Sequence, residues 1–244
     1  EGASGAALLR LDAIGDFILW LGSAQAYRAI FPGEPITLVC NAAVADIAEA
    51  TRWFDRVVPV RMRAFLEDPA CRADTLARLA ELPVRTLVQT VYSRTFPMDE
   101  IAAAIPAEVR IAIDGEAGNQ SPRIKAHTDR LYTRLVETPA DPFLMELRRN
   151  AAFVSALLGS PCPARIARLP VLTQDAPLPA EPYIAVFAGA NSRLRQWPEE
   201  RFAAVLGPLA AETGLACLFL GSAEETPAAQ RILSLLPPDS RNTD

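Results

Sequence analysis

Residues 10–20 read RLDAIGDFILW, a polar turn set between the apolar run 6–11 and a second apolar stretch. A strand-to-helix turn needs about one capping residue, and this one holds Asp12, Gly15 and Asp16. The run AALLRL (6–11) shows no polar alternation, so it predicts a strand buried on both faces, as in a parallel sheet. Beyond the turn, Phe17, Leu21, Ala24, Tyr27 and Phe31 recur at helical spacing, and Pro32-Gly33 stops the helix.

Working outward, the same alternation repeats. Strands are predicted at 35–40, 55–60, 85–91 and 109–113, with helices at 43–50, over most of 63–82 (with a break at Pro69) and near 99–104. Strands alternating with helices in this way build βαβ units and a doubly wound parallel sheet. Residues 114–126 read as a surface loop, and helical patterns follow over 127–137 and 142–158. A proline-rich stretch, 166–182, reads as a linker. A second alternating unit follows it, with strands at 183–189 and 215–222 and helices at 198–214 and 224–236. Two strands are too few to close a sheet of the usual size of about four to six. The chain also opens on Glu1 and ends in a loop-like PPDSRNTD, so the later part of the second domain is expected to lie beyond residue 244.

Composition narrows the function. The chain has 244 residues, 50% hydrophobic and 22% charged, with a net charge of −5. That balance argues for a soluble globular protein and against nucleic-acid binding, which wants a strongly basic face. Positive charge is almost all arginine, since Lys125 is the only lysine, and arginine forks suit phosphate and carboxylate partners. Cys40, Cys71, Cys162 and Cys217 form no CxxC pair and read as buried reduced thiols of a cytosolic protein. There is no apolar run of the roughly 18 residues that span a bilayer. Peripheral membrane contact stays open.

Several chemistries drop out. The sequence has no GxxxxGK[ST] loop and no GxGxxG after a strand. His127 is the only histidine, so zinc sites built on two or three histidines are excluded, and His127 reads as an ordinary helix-start residue. For Asp16 two readings stand side by side. It caps the first helix, with Gly15 supplying a special backbone angle, or it is a carboxylate displayed into a cleft at the positive end of a helix. The loop GANSRLRQWPEERF (189–202) also has two readings. Asn191, Ser192, Arg193 and Arg195 ahead of Pro198 make an anion site fit for a diphosphate, or a solvated loop with Trp197 packed on the domain. The stretch 121–130, with Arg123, Lys125 and Arg130, reads as solvated surface before it reads as a basic patch that meets an anionic acceptor.

RLDAIGDFIL, paired with FAGANSRLRQWPEERFAAV (187–205) about 175 residues on, resembles glycosyltransferase family nine, the heptosyltransferases of lipopolysaccharide assembly. ELRRNAAFVSALLG (146–159) is similar to the helix before that family's interdomain join. The resemblance implies a GT-B α/β architecture of two Rossmann-like domains facing a cleft. Residues 1–165 would receive the acceptor, 166–182 would link, and 183–244 would begin the donor domain. It implies inverting transfer without a catalytic metal or a cofactor, from a nucleotide-sugar, typically ADP-heptose, to a glycolipid or glycan acceptor at the cytoplasmic face of the inner membrane. Carried over by position, Asp16 is the base, with Asp12 and Gly15 in the acceptor-side loop. Arg195, where the family commonly has lysine, faces the leaving diphosphate with Asn191, Ser192 and Arg193. Gly15 would let the attacking hydroxyl come close. Two other readings remain: a non-catalytic Rossmann-like nucleotide-binding module, and a sugar-nucleotide epimerase, which usually wants more acid/base side chains.

Overall fold

The strand at 6–11 forms the middle of a six-stranded sheet in the computed structural model, which describes residues 5–139, 141, 143–169, 179–190 and 192–237. The chain divides into two units, Glu1–Leu172 and Thr173–Asp244. The first runs β1 (Ala6–Arg10), α1 (Ile14–Ala24), α2 (Tyr27–Ile30), β2 (Ile36–Asn41), α3 (Ala45–Thr51), β3 (Arg56–Val60), α4 (Met62–Glu67), α5 (Pro69–Ala80), β4 (Thr86–Gln89), α6 (Phe96–Ala104), β5 (Val109–Ile113), α7 (Pro122–Thr128), β6 (Arg134–Val136) and α8 (Glu146–Leu158). All its strands are parallel, in the order β3-β2-β1-β4-β5-β6. The strand order reverses between β1 and β4, and ligands of open α/β sheets bind outside the carboxyl ends of the strands at such a switch point.

The pleat of β1 explains its apolar run. Ala6 and Leu8 face one core with Phe17, Trp20, Leu21 and Phe153. Ala7 and Leu9 face the other, with Phe65, Leu79, Ile101 and Ile105. Each such leucine or phenylalanine contributes about 1.5–3 kcal/mol by leaving water. Arg10 alone among the strand's residues is charged, and it is buried as completely as the others.

The sequence expectations hold for the strand positions and fail at five places. The helix foreseen from Phe17 to Phe31 is two helices, because Ala26 N–H and Arg28 N–H bond back three residues, to the carbonyls of Ser23 and Gln25, and tighten the chain. The loop expected over 114–126 ends early, at Ser121, whose hydroxyl accepts from Ile124 N–H at 3.3 Å with Pro122 in the first turn of α7. The helix expected over 127–137 stops at Thr128. Thr133 binds Arg110 through its own N–H and its hydroxyl, which pins the chain beside β5 as the edge strand β6. His127 lies, exposed, in the last turn of α7 and not at a helix start. At Pro69 the helical stretch does break, and Asp68 accepts from Ala70 N–H at 2.9 Å to cap α5. The four cysteines are free thiols, but only Cys40 and Cys217 are buried.

The second unit contains two parallel strands, β7 (Tyr183–Val186) and β8 (Ala216–Phe219), and two helices, α9 (Glu199–Thr213) and α10 (Thr226–Leu235). Val186, Leu206, Ala210, Cys217, Ile232 and Leu236 form its core. Arg231 binds Glu199 through two nitrogens, at 2.7 and 2.5 Å, and joins the two helices. Of the expected linker 166–182, residues 170–178 lie outside the described ones. Among the described residues no helix is long and apolar enough to cross a membrane.

Candidate active site

At the switch point of the first unit lies a cleft of about 220 Å³. Asp12 and Asp16 line it from the turn after β1, Tyr92 and Ser93 from the turn after β4, Asn119 from the β5–α7 loop and Glu146 from the start of α8. Asp12 and Asp16 are therefore brought to one cleft.

Asp16 is not the helix cap. The N-cap position is Ala13, which offers no side-chain bond, and Asp16 stands in the first turn of α1 with its side chain exposed. Gly15 has no positive φ, so the special backbone angle is absent. A Cβ built on it would meet nothing within 4 Å. Gly15 thus leaves open space on the first turn of α1.

Asp12 is held differently. Arg10 donates its Nε–H to Asp12 Oδ1 at 2.9 Å and places Nη2 2.7 Å from Oδ2. Burial pushes the Asp12 carboxyl up to about 6; Arg10 opposes that rise, while Asp16 and Glu146 add to it. Burial outweighs the ion pair here because the carboxylate has been taken out of water on the cleft wall.

Arg10, which the turn motif did not single out, connects the cleft's parts. Its Nη1 donates to Thr90 O at 2.9 Å and Asn150 Oδ1 at 3.3 Å, and its Nη2 to Asp16 O at 3.0 Å and Glu146 Oε1 at 3.3 Å. A charged residue ending an apolar parallel strand was the available signal. Next to it, Arg149 lies over the Tyr92 ring, 3.7 Å from the centroid, and donates to the carbonyls of Pro139 and Asp141. The β5–α7 loop is tied to the turn after β4 by Asn119 Nδ2 to Ser93 O and Ser93 Oγ to Glu116 Oε1, each 2.9 Å. Lys125, from the basic stretch 121–130, is engaged by Asp114 at 3.1 Å and Asp129 at 2.7 Å.

In the second unit, Ser192 and Arg195 share one tight turn. Arg195 N–H bonds Ser192 O at 2.9 Å, and Ser192 Oγ accepts from Leu194 N–H at 3.4 Å. The Arg195 side chain is exposed, Arg193 joins through its backbone in the turn Arg193–Arg195, and Asn191 lies outside the described residues. Trp197 packs edge-on against Phe202, with ring centroids 5.0 Å apart. At the carboxyl ends of β7 and β8 is a cavity of about 230 Å³ that includes Gly189, Gly221, Ser222 and Glu225. Glu225 accepts from Ser222 N–H at 2.6 Å and Ser222 Oγ–H at 3.0 Å. Its carboxylate occupies the space a side chain at position 189 would need, since a Cβ there would fall 1.2 Å from Oε1. Ser222-x-x-Glu225 carries the capping-box pattern, which is the signal in the sequence that marks Glu225. Among the described residues, no group of three or more His, Cys, Asp or Glu side chains could hold a metal ion.

No family model and no curated protein matches the chain. Solved structures do match, and the chain shares their α/β fold. The chain is similar to E. coli heptosyltransferase WaaC with ADP, at 17% identity over 94% of this chain and 72% of that one, with a TM-score of 0.69. It is similar to the family 9 glycosyl transferase from Veillonella parvula, at 13% identity over 97% and 68%, TM-score 0.74. It also resembles E. coli ADP-heptose LPS heptosyltransferase II, at 14% identity over 97% and 70%, TM-score 0.69.

Proposed function

We propose that this chain is an inverting glycosyltransferase that moves heptose from ADP-heptose to a lipopolysaccharide core or related glycan, with Asp16 as general base and no catalytic metal. In this reading 1–165 receives the acceptor, 166–182 links, and 183–244 belongs to the donor domain of a GT-B enzyme working at the cytoplasmic face of the inner membrane. The observation that carries it is the exposed Asp16 carboxylate in the switch-point cleft. Asp16 takes the proton of the acceptor hydroxyl as its oxygen attacks the anomeric carbon from the face opposite the nucleotide. The bond to the diphosphate breaks, and Arg195, with Asn191, Ser192 and Arg193, receives the charge that develops on the leaving oxygen. Solved neighbours hold ADP and ADP-2-deoxy-2-fluoro heptose, which supports a nucleotide-sugar donor.

The test is ADP release from ADP-heptose in the presence of a heptose-free core oligosaccharide, by the parent and by Asp16→Ala. A general base contributes about 100-fold or more, so the variant should fall at least that far with its fold intact. Turnover within threefold of the parent sinks the assignment. A panel of other nucleotide-sugars identifies the donor.

A further inference from the structure

The first turn of α1 lacks the usual means of holding still. Residues 13–16 are all exposed, Ala13 offers no capping side chain, and Gly15 has nothing to pack. A base, however, must stand within hydrogen-bond reach of the proton it removes. Among the described residues, the side chain that binds this turn is Arg10, through Nη2 to the Asp16 carbonyl at 3.0 Å.

Arg10 is itself held on every side. Its five N–H groups meet Asp12, Thr90 O, Asn150, Asp16 O and Glu146, which accounts for all the donors a guanidinium has. The Trp20 ring lies against it, 5.9 Å from centroid to guanidinium carbon. These acceptors sit on the turn after β1, the end of β4, the start of α8 and the first turn of α1. The guanidinium thus references the Asp16 backbone to the two strands that border the cleft and to the helix across it. Stability alone does not call for such a residue, since apolar side chains of similar volume often replace buried ion pairs without loss.

We infer that Arg10 is a positioning residue, whose bond to the Asp16 carbonyl aims the Asp16 carboxylate into the cleft. The inference rests on the reading of Asp16 as the base. Arg10 touches no substrate in this scheme and acts through Asp16.

The experiment is a double-mutant cycle on the full chain, with ADP-heptose and heptose-free core oligosaccharide. Arg10→Lys keeps the charge and loses the fork. It should lower kcat about 100-fold, the size of effect an ångström of misplacement produces, while KM for ADP-heptose stays within about threefold. In the Asp16→Ala background the same change should lower the residual rate by less than about threefold, because residues that act as one unit are not additive. Losses that multiply in the double variant overturn the proposal and leave the base assignment standing. Full turnover by Asp16→Ala overturns both. If Arg10→Lys fails to fold, Arg10→Gln takes its place, read by amide exchange. Faster exchange at residues 17–20, with β4 amides unchanged, supports the tether, and unchanged exchange at 17–20 overturns it.

Discussion

The backbone at Gly115 runs so close to Tyr92 that a Cβ at 115 would fall 1.7 Å from the Tyr92 carbonyl oxygen. The neighbour is main chain, not a flexible side-chain tip, so the two segments can meet only if residue 115 has no side chain. This contact brings the β5–α7 loop against the turn after β4 and builds one wall of the cleft.

Gly115→Ala should therefore cost more than about 2 kcal/mol of unfolding free energy, because relief requires moving backbone in a close-packed wall. Urea unfolding of the two proteins measures it. A loss below 0.5 kcal/mol, on the order of ordinary surface substitutions, would show that the wall yields freely.

Gly15 should behave in the opposite way. Its Cβ meets open space and its φ is unremarkable, so Gly15→Ala should gain up to about 1 kcal/mol in helix propensity. If an acceptor hydroxyl approaches Asp16 over this residue, the same variant lowers kcat/KM while raising the melting temperature. Stability and activity moving together contradict the expectation.

Asp12 makes a pH-dependent contribution. Burial lifts its carboxyl from an ordinary 3.8 to about 6, so the folded protein holds the proton that the unfolded chain releases. The stabilisation linked to that proton is present below pH 4 and is lost as pH rises through 6. At one unit per 1.36 kcal/mol, the parent loses about 2–3 kcal/mol over this window relative to Asp12→Asn. Denaturant melts of both proteins at pH 4 and pH 7 test the sign. A difference that shifts toward the parent at pH 7 contradicts it.

Asp99 is 2% exposed. It accepts from Tyr132 Oη–H at 2.5 Å and lies 3.2 Å from Arg94 Nε, a guanidinium that is also buried. Asp99→Ala takes away one of two carboxylates from Arg94, whose other partner is Asp129. The variant should lose about 3 kcal/mol or more, as broken buried pairs do. Asp99→Asn, which can still accept from Tyr132, should lose less. Thermal unfolding ranks the two.

The sheet was legible because its signals are local. The unbroken apolar run at 6–11, the helical spacing after it and the segment 109–113 each carry their own pattern, and β5 falls on 109–113. The edge strand Arg134–Val136 was read as helix because three residues hold too little pattern. Its conformation comes from Thr133 meeting Arg110, a partner 23 positions away. Ser121-Pro122 did mark the start of α7, and the polar composition of 114–126 hid it.

By itself, the sequence determined the α/β alternation, the two polar loops that follow β1 and β7, and the presence of a carboxylate at one and arginines at the other. These depend on neighbours a few positions apart. The tertiary structure alone decided that Ala13 and not Asp16 takes the cap position of α1, and that Arg10 is the hub beneath that turn. Arg10 meets Thr90, Glu146 and Asn150 across 80, 136 and 140 positions of chain. Nothing in the pattern near residue 10 encodes those pairings, because a buried guanidinium takes whichever acceptors the packed sheet and α8 bring within reach.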